Sequence, residues 1–334
     1  MDETVLDRAR GGDGYAFEEL VEPLRREILA HCYRILGSLQ DAEDILQETL
    51  LAAWRALDRF DGRSLRAWLY RIATNHCLNF LRDGSRRPQS VLVSRPASVR
   101  ASLVASDEPW WLEPFPDTLL DNTVLDSRGG SPEATYDARE SIALSFVAGL
   151  QRLPAQQRAA LVLRDVLGFS AAETADFLDT TPTSVNSALA RARTGFRPER
   201  EPEQVPLPRS AAEADVVERF VRAFQGGDPG EVVAVLTEDA RLTMPPEPFE
   251  CDGSGAIADF MQRAGFWGPE MKLVPTRANN QPAFGFYRPD PTSSILRAGG
   301  LIVLTLRGDR VSCITRFHPP LFDRFGLPRT LPQD

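Results

Sequence analysis

Between residues 61 and 90 the chain sets six arginines, Arg63, Arg66, Arg71, Arg82, Arg86 and Arg87, against only Asp61 and Asp83. Trp68, Tyr70, Asn75, His76 and Asn79 are interleaved with them. Guanidinium groups hold phosphates, rings stack on unpaired bases and side-chain amides read base edges, so the mixture suits a surface for single-stranded nucleic acid. An amphipathic helix with Trp68 in its core would use the same residues. A second constellation is acidic: Asp41, Asp44 and Glu48 stand at i, i+3 and i+7 with Gln47 beside them, a stripe that fits either a partner surface or a solvated face near a helix N-terminus. A third is polar: Thr183, Ser184, Asn186, Ser187 and Arg191 follow Thr181-Pro182, and Arg193 and Arg197 could neutralise phosphates.

These groups need helices to position them. Phe17, Leu20, Val21, Leu24, Ile28 and Leu29 predict a helix over about 16–35. Ser38 then precedes a helix to about Leu57 whose buried stripe is Leu39, Ala42, Ile45, Leu46, Thr49, Leu50 and Ala53. Ser64 can cap another over 65–82, with Leu65, Leu69, Ile72, Ala73, His76 and Phe80 inward. Further on, a helix through 141–150 leads to Leu153-Pro154, where proline suits a first turn, and the next continues to Gly168. Ser170 with Glu173 reads as a capping box, and Thr181-Pro182 as the cap and first position of a last helix with Val185, Leu189 and Ala192 inward. Two short helices and a brief turn match a helix-turn-helix, although helical hairpins imitate that layout.

Residues 85–135 are rich in Pro, Ser, Asp and Gly and read as an extended linker. From Ala101 to Ser127 it carries six acids and no Arg or Lys, while Trp110, Trp111, Leu112 and Phe115 form a local apolar cluster. Spanning distance does not require adjacent tryptophans, so this patch is expected to dock on a folded surface or partner.

A charged, proline-bearing stretch from Pro198 to Arg209 precedes a third domain at about 212–327. It opens with helical patterning at Val216, Val217, Phe220, Val221 and Phe224, turns at Gly226-Gly227-Asp228-Pro229-Gly230, and ends in strand-like runs at 271–276, 283–287, 301–306 and 311–317. Helices first and strands later predict an α+β domain with a curved antiparallel sheet, whose pocket Met244, Phe249, Phe260, Trp267, Phe284 and Phe286 could line. Asp239, Glu247, Glu250, Asp252, Asp259 and His318 could supply acid or base groups, but nothing in the sequence brings them together, and no catalytic residue is assigned.

The 334 residues are enough for two or three domains, and the formal charge of −9 excludes a generally cationic coat while leaving local basic patches. Cys32, Cys77, Cys251 and Cys313 form no CxxC pair, and His31-Cys32 and His76-Cys77 are neighbours that diverge on a helix, so no metal or disulfide framework is expected. The first residues are acidic and polar, and no stretch approaches the roughly twenty apolar residues of a membrane span, so a cytoplasmic protein is expected.

Residues 15–88, especially Asp41-Ala42-Glu43-Asp44-Ile45-Leu46-Gln47-Glu48-Thr49 and Arg66-Ala67-Trp68-Leu69-Tyr70-Arg71-Ile72-Ala73-Thr74-Asn75, resemble region two of bacterial RNA polymerase sigma factors of the extracytoplasmic-function group. Residues 138–197 resemble region four through Leu153-Pro154, Arg158, Gly168-Phe169-Ser170, Glu173-Thr174-Ala175 and the run from Ser184 to Arg193. The third domain resembles the SnoaL-like branch of the NTF2-like fold, and Trp111 to Asp117 looks like a linker feature of the same sigma subgroup.

The resemblance implies two all-α sigma domains, at 5–88 and 136–197, separated by an acidic linker at 89–135, with a second linker at 198–211 before the α+β domain. It implies that Asp41, Asp44, Gln47 and Glu48 meet the coiled coil of the polymerase's largest subunit, and that region four also binds the polymerase flap. Arg71, Asn75, Asn79, Arg82, Arg86 and Arg87 would serve the promoter's −10 element, and Thr183, Ser184, Asn186, Ser187, Arg191 and Arg193 the −35 element. It further implies an interruption of the 65–82 helix near Asn75, a linker threading polymerase channels, and a last domain that regulates by packing within the chain or sensing a small molecule. Two other readings stay open: a ligand-sensing helix-turn-helix regulator acting without polymerase, and an enzyme housed in the third domain.

Overall fold

The computed structural model describes residues 3–83, 112–120, 141–196 and 205–333, apart from 248 and 266. The chain divides into two compact units, Met1–Arg87 with Leu119–Glu199, and Pro88–Thr118 with Arg200–Asp334.

The first unit begins with α1 (Glu3–Arg10), α2 (Gly14–Leu36), α3 (Leu39–Arg55) and α4 (Leu65–Arg82). Asp13 starts α2 by accepting the Tyr15 and Ala16 N–H groups, and Gly37 ends it in the left-handed conformation at φ 75°. Ser38 and Ser64 cap α3 and α4 by accepting from Asp41 and Ala67. The two-turn α1 lies outside the helices the periodicity predicts, because Val5, Leu6 and Ala9 are too few to reveal a period.

Helix α4 is continuous, so the interruption near Asn75 implied by the family resemblance is absent. Its inward face is also rotated from the expected one. Leu65, Leu69, Tyr70, Ala73, Thr74 and Cys77 are buried, while Ile72, His76 and Phe80 are half-buried. Polar bonds draw that face in: the Tyr70 hydroxyl donates to Glu27 at 2.9 Å and His31 meets Thr74 at 2.9 Å.

The same unit continues with α5 (Leu144–Gln151), α6 (Ala155–Leu161), a π-helical turn at Val162–Val166, α7 (Ala171–Phe177) and α8 (Pro182–Gly195). Pro154 sits at the N-cap of α6, one position before the expected first turn, and the π turn replaces the expected regular helix towards Gly168. The capping box forms as predicted, with Ser170 and Glu173 each accepting the other's backbone N–H. Thr181 caps α8, Pro182 occupies its first turn, and Val185, Leu189 and Ala192 are buried.

In the second unit α9 (Ala211–Gly226) and α10 (Pro229–Val235) are joined by the predicted glycine-rich turn, with Asp228 capping α10. The strands are β1 (Leu236–Thr243), β2 (Glu250–Asp252), β3 (Lys272–Ala278), β4 (Gln281–Pro289), β5 (Ile295–Arg307), β6 (Arg310–Phe317) and β7 (Thr330–Pro332), and α11 (Ser254–Ala264) follows β2. The sheet order is β2-β1-β6-β5-β4-β3, with β7 added on β5. Pairing is antiparallel except between β1 and β6, so the sheet is mixed where an antiparallel one was expected. The register shifts between Phe286 and Tyr287 in β4 and between Thr305 and Leu306 in β5, the kind of irregularity that locally bends a strand.

Phe220 and Phe224 of α9 and Ile257 and Phe260 of α11 pack on Leu242, Phe284, Ile302 and Ile314. Of the predicted pocket residues, Met244, Phe260 and Phe286 line an apolar cavity with Arg316, whereas Phe249 and Phe284 belong to the surrounding core and Trp267 packs at its edge. Among the described residues, no helix is long and apolar enough to cross a membrane.

Candidate nucleic-acid and partner interface

Helix α4 presents one polar face. Arg71 and Asn75 are half-buried, and Asn79 and Arg82 are exposed, spaced so that all four share a side of the helix. Asn79 accepts from Arg82 at 2.6 Å. Arg86 and Arg87 lie outside the described residues. Tyr70 is removed from any stacking role: it is fully buried, its ring is 5.3 Å from Phe169, and burial pushes its hydroxyl pKa well up. Trp68 stacks on Phe60 at 4.9 Å and serves the core, the alternative left open by the sequence.

A buried lattice holds α4 to α2. Arg66 donates to Glu27 through Nε at 2.7 Å, and its guanidinium lies over the Tyr70 and Phe169 rings at 4.9 and 5.3 Å. Thr74 donates its one hydroxyl proton to the Tyr70 carbonyl at 2.7 Å, so His31 Nε2 must be the donor to Thr74. The His31 Nδ1 is then a bare acceptor with no hydrogen-bond partner. Burial, reinforced by Arg34 and Arg66, drops the His31 pKa from 6.5 to about 3 and keeps the ring neutral.

On α3, Asp44, Gln47 and Glu48 are exposed on one face, and Asp41 is half-buried beside the Ser38 cap. Glu48 is 3.4 Å from His76 of α4. Leu51, at 48% exposure, extends the same stripe by one turn. Sequence reasoning missed it, although its offset of seven from Asp44 was the available signal.

Helix α8 exposes Thr183, Ser184, Asn186, Ser187, Arg191 and Arg193. Ser184 and Ser187 are partly engaged with the helix itself: the Thr181 hydroxyl donates to Ser184 Oγ at 3.0 Å, and the Ser187 hydroxyl donates to the Thr183 carbonyl. Arg193 makes a two-pronged bond to Asp165 at 3.0 and 2.7 Å, which raises its pKa and occupies its fork. Asn186 and Arg191 are therefore the more accessible polar side chains of this face. Arg197 lies outside the described residues. Arg71 of α4 faces the turn before α8, 3.2 Å from Asp176 and 3.5 Å from Asp179.

Of the linker cluster, Trp110 and Trp111 lie outside the described residues. Phe115 is fully buried in the second unit, where its N–H donates to the Asn279 side chain and its carbonyl accepts the Asn279 N–H, both at 2.8 Å. Burying such a ring is worth about 2–3 kcal/mol. Three candidate acids of that unit are engaged elsewhere, Asp239 with Arg307, Asp252 with Arg241 at 3.0 Å and Glu247 with His318 at 3.0 Å, and neither these nor Glu250 and Asp259 line the cavity.

Comparison with known proteins agrees with this anatomy. Residues 20–87 match the Sigma-70 region 2 family, 144–194 match Sigma-70, region 4, and 217–318 match the SnoaL-like domain. The ECF RNA polymerase sigma factor SigG of Mycobacterium tuberculosis is 41% identical over 335 residues, covering 96% of this chain and 86% of that protein. The RNA polymerase sigma factor NccH of Alcaligenes xylosoxydans xylosoxydans is 35% identical over 195 residues, covering 58% and 91% of the two chains. The crystal structure of the extracytoplasmic function sigma factor SigJ of Mycobacterium tuberculosis shares the fold, with a TM-score of 0.62 at 24% identity over 93% of this chain and 99% of that one. The chain belongs to the sigma-70 family of RNA polymerase sigma factors. Within it, it is a member of the extracytoplasmic-function group that carries a SnoaL-like domain after region four.

Proposed function

We propose that this chain directs core RNA polymerase to specific promoters and helps to open them, with the C-terminal domain regulating that activity. The carrying observation is the coexistence, within one unit, of the outward Arg/Asn face of α4 and the capped α8 of a helix-turn-helix. In this reading α3 engages polymerase through Asp44, Gln47 and Glu48, with Asp41 at its base. Asn75 receives an unstacked base of the −10 element, Arg71, Asn79 and Arg82 hold its backbone together with Arg86 and Arg87, and the exposed residues of α8 meet the −35 element. The chain performs no phosphoryl transfer. It favours opening by holding the separated strand better than the duplex, offsetting a few kilocalories per mole of unstacking for each captured base.

In vitro transcription with core polymerase, comparing the full chain with a version ending near Pro198, tests both parts. Promoter-specific transcripts only in the presence of core enzyme support the sigma reading, and the difference between the two proteins gives the sign of regulation. Duplex binding and regulation that need no region two would favour the free helix-turn-helix regulator. Turnover of a small molecule that survives loss of residues 1–197 would favour the enzyme.

A further inference from the structure

An arginine stands where the inward face of the sheet calls for an apolar side chain. Ile314 and Arg316 are two residues apart on β6 and so share a face, and both line the cavity of the C-terminal domain. Phe260 and Met261 of α11 and Ile302 of β5 help to close it. Among the described lining residues Arg316 alone is charged. The space, its open mouth included, is about 350 Å³, at the small end of the range for ligand pockets, roughly 300–1,000 Å³.

The surrounding backbone is shaped to hold the guanidinium there. Tyr287 of β4 pairs with Ala298 of β5 and Phe286 with Gly300, so Gly299 is the extra residue of a bulge. Arg316 Nη2 donates to the Gly299 carbonyl at 2.7 Å, and Nη1 is 3.8 Å from Met244 Sδ. The guanidinium carbon is 5.9 Å from the centre of the Phe286 ring. A Cβ at Gly299 would stand 2.6 Å from that ring, and one at Gly300, where φ is 151°, would stand 2.5 Å from the Phe317 carbonyl and 3.3 Å from Arg316 Nε. Bulge, glycines and ring together fix one cation in the wall of an apolar chamber. Such walls thin out water, so the charge attracts an anion more strongly than it would at the surface, and the planar fork suits a carboxylate. Met244 and Met261 let the chamber adapt to the body attached.

We propose that this cavity binds a small monocarboxylic acid with a compact apolar body, its carboxylate on Arg316 and its body against Phe260, Met261 and Ile302. The site is one of binding and needs no sigma activity, so its test is separate from that of transcription.

Hexanoate, acetate and hexanol separate the charge from the body in titrations of the full chain. The chain has four methionines, two of them in the cavity wall, so methyl NMR with labelled methionine reads the site directly. Hexanoate should shift the Met244 and Met261 signals and leave Met1 still. It should bind at least tenfold more tightly than acetate, which lacks the body, or hexanol, which lacks the charge; tenfold is about 1.4 kcal/mol. Arg316→Gln should weaken hexanoate at least tenfold with the Met244 and Met261 signals still dispersed. Ile302→Phe keeps Arg316 but fills the chamber, and should also weaken hexanoate at least tenfold. Equal affinity for hexanoate and hexanol, or unchanged hexanoate binding by Arg316→Gln, removes the anionic anchor. Acetate binding as tightly as hexanoate, or unchanged binding by Ile302→Phe, removes the chamber from the site. Wild type that leaves Met244 and Met261 unshifted at millimolar hexanoate overturns the proposal outright.

Discussion

Mild acid should loosen the helical unit through His31, and the size of the effect follows from its surroundings. The imidazole is fully buried, donates through Nε2 to Thr74, and is faced by the cations of Arg34 and Arg66. Its folded pKa is about 3, against 6.5 in an unfolded chain. The unfolded state therefore binds the extra proton, and stability is lost as pH falls through 6.5, levelling off only near 3. Between pH 7.5 and 5 the linkage amounts to about 2 kcal/mol, with a limiting slope of about 1.4 kcal/mol per pH unit. Hydrogen exchange of amides in α2 and α4, measured at pH 7.5, 6 and 5 and corrected for intrinsic rates, reads this locally. His31→Gln retains a donor for Thr74 without titrating. The variant should be less stable at pH 7.5, yet lose about 2 kcal/mol less than the wild type on going to pH 5. Parallel pH profiles for the two proteins would refute the argument, because the carboxylates that also titrate are common to both.

Three further outcomes test the proposed surfaces. Asn75→Ala should reduce open-complex formation about tenfold by permanganate footprinting while leaving core binding within about twofold, since a captured base is worth roughly 1–3 kcal/mol; equal loss in both assays removes Asn75 from base capture. Charge reversal at Asp44→Arg and Glu48→Arg together should weaken core polymerase binding by roughly ten- to a hundredfold in titrations, and more at low salt than at high salt. Unchanged affinity would make the acidic stripe a solvated face. Thr181→Ala deletes the side chain that accepts the Ser184 N–H and should cost about 1 kcal/mol in denaturant unfolding of the helical unit, while Thr183→Ala, whose side chain caps nothing, should cost much less.

The parts of the fold legible in the sequence are those specified by local rules. Ser38, Ser64, Ser170 and Thr181 each cap the helix that follows them, and the stripes of α3 and α8 are buried as their spacing predicts except at Leu50, which is half-buried. What escaped depends on partners distant in sequence. The rotation of α4 follows from Glu27 and His31 reaching Tyr70 and Thr74, a choice no helical period contains. The parallel pairing of β1 with β6 joins strands about seventy residues apart, Leu242 lying opposite Ile314. The linker cluster signalled docking through its aromatics, but its seat needed Arg277, which donates to Asp117 and to Glu213, ordinary surface residues by type. The Asn279-Asn280 dipeptide between two apolar runs was the one local sign of the turn that receives it.

The contacts around Arg71 differ in cost, and that difference bears on how the proposed −10 surface could work. Its pairs with Asp176 and Asp179 join side chains that are 42–76% exposed, so each is worth at most about 1 kcal/mol and is screened by salt. The seam between the two sigma regions is of another kind. Arg34, 2% exposed and with its pKa pulled down to about 10 by burial, donates to the backbone carbonyl and hydroxyl of Ser141. Arg158 donates to the carbonyls of Ile35, Gln151 and Leu153. Opening that seam strands buried donors and acceptors at about 1–3 kcal/mol apiece. A phosphate arriving at α4 has only to displace two surface carboxylates, an exchange of one anion for another that leaves the buried seam untouched. In the proposed −10 role, promoter DNA would take the place of Asp176 and Asp179 on Arg71 without first unfolding anything.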